Sequence, residues 1–556
     1  MAWIARAVKE LRPESHVVIP PLPLKWKSFI NPLNVARSLL VVIESQISYR
    51  EAQGWEEFDD IVLIGHSMGA LLARKVYLLA GPESAEARFE DSSDEALAEE
   101  RPWFRKVSRI ILFAGMNRGW TLNHHLRFFR FILWWIFSFA ADTLMAFGGD
   151  RWRLTIMNIR QGAPFLTELR LQWLALLRKN RSLQKQGTSL DRQVPDLALT
   201  VQMLGTIDDK VAPGDNIDLS TGRDFVYLDV PSSGHEDVID LDDSDAGRAR
   251  RKVFEKALCE SSASLEIRRL LPTDDTTRRT NEAVTNVVFV MHGIRDTGYW
   301  TQKVARKVQE IGGNPPKIYA SETSSYGYFA MISFLLPSQR RKKVQWLMDQ
   351  YVEARSLYPN AKFSYVGHSN GTYLVAKALI DYPSCSFDRI VFAGSVVRTD
   401  YEWGRHIARG RVEAVLNYVA TADLIVAVLP GAWEMVNLQD LGSAGHNGFR
   451  TPHPKVFQTK FVPGGHSCAR EESNWTDIAE FIVSEVPRPS PNPIAVATQD
   501  SVVVTLGRIA PLCWLFIVAL LLSLGWLAFW TGGRFHHPVL AVFAYAWLIW
   551  QIVSKV

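Results

Sequence analysis

The sequence contains little that would indicate a disulfide-bonded or metal-binding protein. Its 556 residues include only four cysteines, and no two of them form a C-x-x-C pair. This scarcity favours a reducing compartment over a disulfide framework or a structural zinc site. Histidines and carboxylates show no metal-binding spacing such as H-E-x-x-H. We therefore expect neither a bound metal nor another cofactor.

Charge of one sign is not concentrated anywhere in the chain. The 62 basic and 58 acidic residues give a net charge of +4, without a long basic run, so nucleic acid is not an expected partner. Near the N terminus, Arg6, Lys9 and Glu10 interrupt the apolar residues. We therefore expect no signal peptide.

Runs long enough to cross a bilayer occur only near the C terminus. Residues 509–530 form an uncharged run of about 20 residues, which suffices for one span. A shorter run, rich in aromatic residues, follows at 539–553. We predict a transmembrane hairpin at 509–553, with one span plus an interfacial helix as the alternative. A multi-pass C-terminal anchor of this kind would leave the rest of the chain on the cytoplasmic side.

One short motif occurs twice, each time between a predicted strand and a predicted helix. Residues 61–69 read IVLIGHSMG, and residues 363–371 read FSYVGHSNG. Both contain G-H-S-x-G, the motif of a nucleophile elbow, in which a strained turn lifts a serine hydroxyl clear of the backbone. The helix that follows directs its N–H groups at any oxyanion formed there. The motif therefore predicts two nucleophilic serines, Ser67 and Ser369.

A hydrolytic serine needs a histidine base and a carboxylate that orients the base, and internal comparison finds both in each half of the chain. After one strand, residues 205–211 read GTIDDKV and residues 420–426 read ATADLIV, with Thr, Asp and Val at matching offsets. After a later strand, VPSSGH at 230–235 parallels VPGGH at 462–466. The comparison predicts two sets of catalytic residues: Ser67, Asp208 and His235, and Ser369, Asp423 and His466.

These two ordered sets resemble the α/β-hydrolase superfamily, in its esterase and lipase-like branch, twice over. The resemblance covers most of residues 1–486 and implies two tandem α/β domains, each with a mostly parallel sheet flanked by helices. By the family pattern, the first oxyanion donor is the N–H group of Met68 or Asn370. The second donor comes from an H-G loop after an early strand, which Gly293 and Ile294 match. The resemblance implies no cofactor.

The chain is too long for one hydrophobic core, so two domains or more are expected. The predicted segments are a first domain at 1–260, a linker at 261–284, a second domain at 285–486, and a Pro-rich linker at 487–508 before the membrane hairpin. If Trp3 aligns with Trp300, the first domain lacks the early strand, the H-G loop and its second oxyanion donor. Losing one such donor typically costs about 100- to 1000-fold in rate. Either the true start lies upstream, or the first domain is impaired.

An insertion at about 119–194 interrupts the first domain and contains a very aromatic stretch at 128–139. The uninterrupted apolar run is about 10–14 residues, which is short for a span. One interpretation is a buried helix. The other is a lid that covers an acyl-binding cleft and docks on lipid, because lids insert at this place in the resembled family.

Alternatives remain for the acids. Asp209 could replace Asp208 in the first domain. Asp400 could act instead of Asp423 in the second, because acids after the neighbouring strand also occur in this fold. The sequence favours Asp208 and Asp423, which share their offsets within the repeat.

The remaining histidines are not expected to act as bases. His66 and His368, inside the two elbows, are expected to pack and to orient the turn. Four more histidines are expected on the surface or in loops: His124, His125, His446 and His453.

The sequence thus predicts a membrane-anchored serine hydrolase that cleaves carboxylic esters through an acyl-enzyme. Lipid-type acyl esters are the expected substrates, on the strength of the lid and the anchor. The rival hypothesis is a membrane-tethered scaffold that uses one or both hydrolase folds without catalysis. In a mixed version, the second domain catalyses and the first binds or regulates.

Overall fold

A computed structural model describes most of the chain, in two compact units. The described residues are 1–23, 28–90, 97–120, 154–189, 196–206, 217–218, 225–266, 280–294, 298–313, 317–327, 329, 331–488, 495–534 and 536–555. The first unit comprises residues 1–280, 345–359 and 382–384, and the second comprises 281–344, 360–381 and 385–556. Each unit contains a parallel sheet flanked by helices. The predicted α/β class is therefore confirmed.

The sheet of the first unit has four strands in the order β1-β2-β3-β4 among the described residues, and all neighbours are parallel. The strands are β1 (Ile61–His66), β2 (Val107–Phe113), β3 (Leu199–Gly205) and β4 (Val226–Val230). Side chains alternate between the two faces of a strand. In β2, Ile110 and Leu112 join one core and Ile111 and Phe113 the other. This sheet is therefore covered by helices on both faces.

The described helices of the first unit are α1 (Ala2–Leu11), α2 (Pro32–Ala52), α3 (Met68–Ala80), α4 (Thr155–Asn158), α5 (Pro164–Ser189), α6 (Asp245–Cys259) and α7 (Ser262–Glu266). Helices α2, α3 and α5 contribute to the core on one face of the sheet, and α1 and α6 to the core on the other. The aromatic stretch predicted as a lid lies outside the described residues. The later part of that insertion, α5, is a helix whose Leu166, Leu169 and Trp173 belong to the core.

The sequence pattern predicts a helix at about 32–52, and the structure confirms it. The β-prone run HVVIP at 16–20 predicts a strand, and this prediction is wrong. Residues 16–20 take no regular secondary structure. A β-prone run becomes a strand only where another backbone lies beside it to complete a ladder of hydrogen bonds. No such pairing occurs at 16–20 in the described part of the chain.

In the described part of the second unit, the sheet has six parallel strands. The strands are β5 (Asn286–Met291), β6 (Tyr319–Glu322), β7 (Lys362–His368), β8 (Phe387–Ala393), β9 (Val412–Ala420) and β10 (Val456–Val462). The order of the strands is β10-β9-β8-β7-β5-β6. The crossover that leaves β5 runs to β6 on one side, and the crossover that leaves β7 runs to β8 on the other side. The neighbours β5 and β7 therefore form a switch point. Ligand sites in open α/β sheets lie at such a switch point, beyond the carboxyl ends of the strands.

The described helices that follow in the chain are α8 (Tyr299–Gly312), α9 (Met331–Leu335), α10 (Pro337–Leu357), α11 (Asn370–Asp381), α12 (Trp403–Ala408), α13 (Leu424–Met435), α14 (Ala444–Asn447), α15 (Trp475–Val483), α16 (Ser501–Arg508), α17 (Ala510–Arg534) and α18 (Pro538–Lys555). Helix α10 begins in the second unit, and its residues from Gln345 onward belong to the first. Helices α8 and α15 pack together and cover one face of the second sheet.

The two C-terminal helices pack against each other. The hydroxyl of Tyr545 donates to the carbonyl of Leu521 over 2.7 Å, and Gly532 lies beside Ala541. Among the described residues, only α17 has both the length and the apolar composition to cross a membrane. Helix α18 is apolar but shorter. A helical pair therefore forms where the sequence predicts one, while the two-span interpretation remains a prediction.

Candidate active sites

Both elbow serines occupy a strained turn at the carboxyl end of a strand. Ser67 has φ 55° and Ser369 has φ 51°, values that non-glycine residues rarely adopt. The amide of Ser67 donates to the carbonyl of Phe113 over 2.9 Å, and that of Ser369 to Ala393 over 3.0 Å. The hydrogen bond to the neighbouring strand thus fixes each serine at the carboxyl end of its own strand.

The first glycine of each motif allows the strand to approach the helix that follows. A Cβ added at Gly65 would lie 2.3 Å from the carbonyl oxygen of Gly69, and one at Gly367 would lie 2.9 Å from the carbonyl carbon of Gly371. Met68 and Asn370 are the first residues of α3 and α11. Amides at a helix N terminus have no partner within the helix, and they can donate to an oxyanion.

In the first unit, the structure brings the predicted base to the serine. The Nε2 atom of His235 lies 2.9 Å from Oγ of Ser67. Asp237 fixes the loop that carries His235. Its carboxylate accepts a hydrogen bond from the amide of Gly234 over 2.6 Å and forms an ion pair with Arg250 over 2.8 Å. The predicted acid Asp208 and its alternative Asp209 both lie outside the described residues.

In the second unit, the structure brings the predicted acid to the base. Nδ1 of His466 lies 2.9 Å from Oδ2 of Asp423, whose side chain is fully buried. The other carboxylate oxygen of Asp423 accepts a hydrogen bond from the amide of Val426 over 3.0 Å and so caps the N terminus of α13. In the described part of the chain, Ser369 and His466 are not joined by a hydrogen bond. In hydrolases this bond often tightens only in the complex with substrate.

Asp400 has a different partner. Its carboxylate forms two hydrogen bonds with the guanidinium of Arg398, at 2.9 and 2.8 Å, and is more than half exposed. These bonds lower the pKa of Asp400. Of the two acids that the sequence left open in the second unit, Asp423 is therefore the one that contacts the histidine.

The predicted oxyanion loop of the second unit lies against the elbow. A Cβ added at Gly293 would lie 2.8 Å from Cβ of Ser369, so only glycine fits there, and Ile294 follows directly. The hydroxyl of Tyr326 lies 2.8 Å from the carbonyl of His292 and 2.9 Å from that of Gly293. It also accepts a hydrogen bond from the side chain of Asn370 over 3.2 Å. Tyr326 thus links the two segments that would supply the oxyanion donors.

The corresponding region of the first unit is more open. A Cβ added at Gly371 would lie 2.6 Å from the carbonyl of Met291, at the end of β5. One added at the equivalent Gly69 would have no described atom within 4 Å. No strand pairs with the free edge of β1 among the described residues. The described part of the first unit therefore brings together the predicted nucleophile and the predicted base, but shows no counterpart of the H-G loop.

The elbow histidines contact the histidines predicted as bases. Nε2 of His66 lies 2.7 Å from the carbonyl oxygen of His235, and Nε2 of His368 lies 3.2 Å from that of His466. Burial and the neighbouring positive groups lower the pKa of both elbow histidines. The neutral ring therefore donates its Nε2 proton to the loop that carries the base. The sequence predicts that these two histidines orient the turn, and in the structure each one contacts the loop that carries the predicted base.

Three features of the second site were missed or misjudged from the sequence. Tyr326 lies in a loop without a recognisable motif, so no sequence signal could have identified it. His446, expected on the surface or in a loop, is only 2 % exposed and lies beside the segment at 495–508. The sequence predicts that segment as a linker, yet it is hydrogen-bonded to the loop that leads to Asp423. The amide of Asp500 donates to the carbonyl of Thr421 over 3.1 Å.

No family model matches the chain, and no curated protein is similar enough to match it. Inferences about function therefore depend on the geometry of the two sites and on their repetition within one chain.

Proposed function

We propose that the protein is a serine hydrolase with two α/β-hydrolase-like units, which cleaves carboxylic esters through an acyl-enzyme. The observation that carries the proposal is the strained serine at the end of a strand, found in both units with a histidine loop beside it. Strained backbone persists only where its surroundings hold it, and it concentrates at functional sites.

The topology of the second unit supports the same proposal. Ser369 follows β7 and the H-G loop follows β5, and these two strands are neighbours at the switch point of the sheet. Asp423 follows β9 and His466 follows β10, the next pair of neighbours. Because these strands are parallel, the four segments that follow β5, β7, β9 and β10 all lie at the carboxyl end of the sheet. This is the order in which hydrolases with a nucleophile elbow present Ser, Asp and His.

In the proposed mechanism, Oγ of Ser369 attacks the ester carbonyl while His466 accepts its proton. Asp423 keeps Nδ1 of His466 protonated and stabilises the imidazolium. The oxyanion accepts hydrogen bonds from the amide of Asn370 and from the loop at Gly293 and Ile294. His466 then returns the proton to the leaving alcohol, and a water molecule hydrolyses the acyl-enzyme by the same route.

In the first unit, Ser67 and His235 would act in the same way, with Asp208 as the proposed acid and the amide of Met68 as an oxyanion donor. The openness around Gly69 supports a weaker catalyst or a binding role for this unit. Without a second donor, its rate would be about 100- to 1000-fold lower.

We further propose that α17 anchors the protein in a membrane and that its substrates are lipid-type acyl esters. Helix α17 is apolar over its length, and its candidate spanning stretch of 18 residues contains no buried residue. A second span by α18, with the catalytic units on the cytoplasmic side, is part of the same proposal.

The test is labelling of the full chain in detergent with a fluorescent fluorophosphonate, which phosphonylates only an activated serine. Wild type would be compared with Ser67→Ala, Ser369→Ala and the double variant. Signal lost in Ser369→Ala alone would make the second unit the enzyme. A signal that persists until both serines are replaced would mean two working sites. A wild type without label would contradict the hydrolase proposal and favour the scaffold.

A further inference from the structure

Helix α13, which begins at the residue after Asp423, has apolar side chains that the described part of the chain leaves exposed or half-exposed. The exposed or half-exposed side chains of this helix and of the residue after it are Leu424, Ile425, Val428, Leu429, Trp433, Met435 and Val436. We name this set the α13 face. The single charged residue of the helix, Glu434, is buried and accepts hydrogen bonds from Thr399 and Ser443. The α13 face therefore contains no polar or charged side chain.

The α13 face adjoins the helix that can cross a membrane. Helix α13 packs against α17 and against the short helix α16 that precedes it. The rings of Trp433 and Trp514 stack with their centroids 5.9 Å apart. Tryptophans are typical of the layer between water and hydrocarbon, where the ring is partly apolar and its N–H is polar. The stacked pair places α13 beside the first turns of α17.

The apolar surface continues from α13 along the first turns of α17. Leu512, Leu515 and Phe516 are all more than 60 % exposed. Arg508, at the end of α16, is exposed just before these turns, where a basic side chain can meet lipid phosphates. A contiguous exposed apolar surface is typical of a site that contacts a membrane or a partner. A bilayer that holds α17 would also meet the α13 face, because the two apolar surfaces are continuous.

We propose that the α13 face lies in the interfacial layer of the bilayer that holds α17. The helix that Asp423 caps then rests on the membrane surface. Helix α13 spans about 18 Å, and an apolar helix of this kind lies in the plane of the interface. Asp423 caps this helix and bonds His466, so the site lies within one turn of the lipid surface. The consequence for substrate, which rests on the proposed function, is that long-chain esters reach Ser369 from the bilayer.

The first experiment measures depth rather than catalysis. A nitroxide would be attached to Val436→Cys or to Ile380→Cys in the full chain, with Cys259 and Cys513 replaced by serine because only these cysteines are not buried. Both positions are 57 % exposed, and Ile380 lies near the C-terminal end of α11, remote from its elbow. In vesicles of phosphatidylcholine and phosphatidylglycerol, relaxation by oxygen and by a water-soluble nickel chelate would be compared.

For Val436→Cys we expect relaxation by oxygen to exceed that by nickel, and for Ile380→Cys the reverse. Equal access of nickel to both labels would overturn the proposal. Protection of the label at 436 from both reagents, with dipolar broadening between labels, would also overturn it, because a second copy of the chain would then cover the face.

The second experiment compares substrates. Val436→Glu should lower the rate on a long-chain ester in vesicles at least tenfold more than the rate on a short soluble ester, while Ile380→Glu should change neither. Equal losses on both esters would overturn the uptake of substrate from lipid. If wild type hydrolysed neither ester, the proposed function would fail, yet the nitroxide result would still decide where α13 lies.

Discussion

Nε2 of His368 lies 3.2 Å from the carbonyl oxygen of His466, which couples the residue before the nucleophile to the residue proposed as its base. Nδ1 of His368 is buried and has no hydrogen-bond partner among the described residues, so a proton there would lack an acceptor. Burial accordingly holds the pKa of His368 well below its usual value. His66 and His235 repeat the contact in the first unit over 2.7 Å.

Removing this contact should impair positioning of the base. His368→Ala, in a Ser67→Ala background that isolates the second site, should lower kcat by about tenfold, the worth of one hydrogen bond of about 1.4 kcal/mol. KM should change less than twofold. His368→Gln keeps an N–H donor and should recover part of the loss. Ester hydrolysis measures both variants, and equal defects in Ala and Gln would mean that the ring only fills space.

Replacement of Asp423 should separate its two roles. Asp423→Asn retains an oxygen for the cap of α13 but presents an amide to His466, which favours the wrong tautomer, so kcat should fall by about 10⁴-fold. Asp423→Ala should lose activity and also destabilise the unit by about 1 kcal/mol, because the cap is lost. Asp400→Asn is the matched control. Since Asp400 pairs with Arg398, its replacement should leave kcat within threefold, and a large loss there would reassign the acid.

Tyr326→Phe should loosen the oxyanion loop. The hydroxyl joins Asn370 to the H-G loop, and its loss removes hydrogen bonds worth about 1 kcal/mol each. We expect kcat for the second site to fall by about tenfold with little change in KM. Tyr373→Phe is the control, because its hydroxyl bonds Asp440 instead. Similar kinetics for the two variants would show that Tyr326 does not position the site.

The elbows of the two units should tolerate a methyl group differently. Gly371→Ala would bring Cβ to 2.6 Å from the backbone of Met291, and such overpacking should destabilise the fold by about 1–3 kcal/mol. Gly69→Ala meets no described atom within 4 Å and should leave stability unchanged or raise it by up to about 1 kcal/mol. Thermal unfolding in detergent checks both. Destabilisation by Gly69→Ala would mean that residues outside the described part cover the first elbow.

Acid should destabilise the second unit through His406. Burial and the neighbouring arginines lower the pKa of this residue to about 4. Its Nδ1 accepts from Arg411 and its Nε2 bonds Tyr401, an arrangement that requires the neutral ring. Because the folded pKa lies below the unfolded value of about 6.5, this stability is present above pH 6.5 and is lost as pH falls toward 4. The loss is about 3 kcal/mol by the same linkage.

The check is the midpoint of thermal unfolding between pH 7 and pH 4. His406→Gln should flatten the decline of the midpoint relative to wild type, whereas His453→Gln, which replaces a half-buried histidine of the same unit, should not. Parallel curves for wild type and His406→Gln would refute the assignment.

The sequence by itself determined the features that depend on local pattern. Both elbow motifs and the helix at 32–52 are predicted from glycine placement and periodicity, which involve residues close together in the chain. Internal repetition also aligned Asp423 with Asp208 and His466 with His235. In the structure, Asp423 contacts His466 and His235 lies against Ser67.

Only the tertiary structure decided the contacts between residues that are distant in sequence. The run at 16–20 has the composition of a strand, yet it is not one, because no backbone pairs with it in the described residues. Tyr326 reaches Asn370 across 44 positions, and the contact depends on a loop that no motif marks. Helix α13 packs against α17 across about 80 residues, and their joint apolar surface exists only in the folded chain. Such contacts arise from packing over the whole chain, which local sequence pattern does not encode.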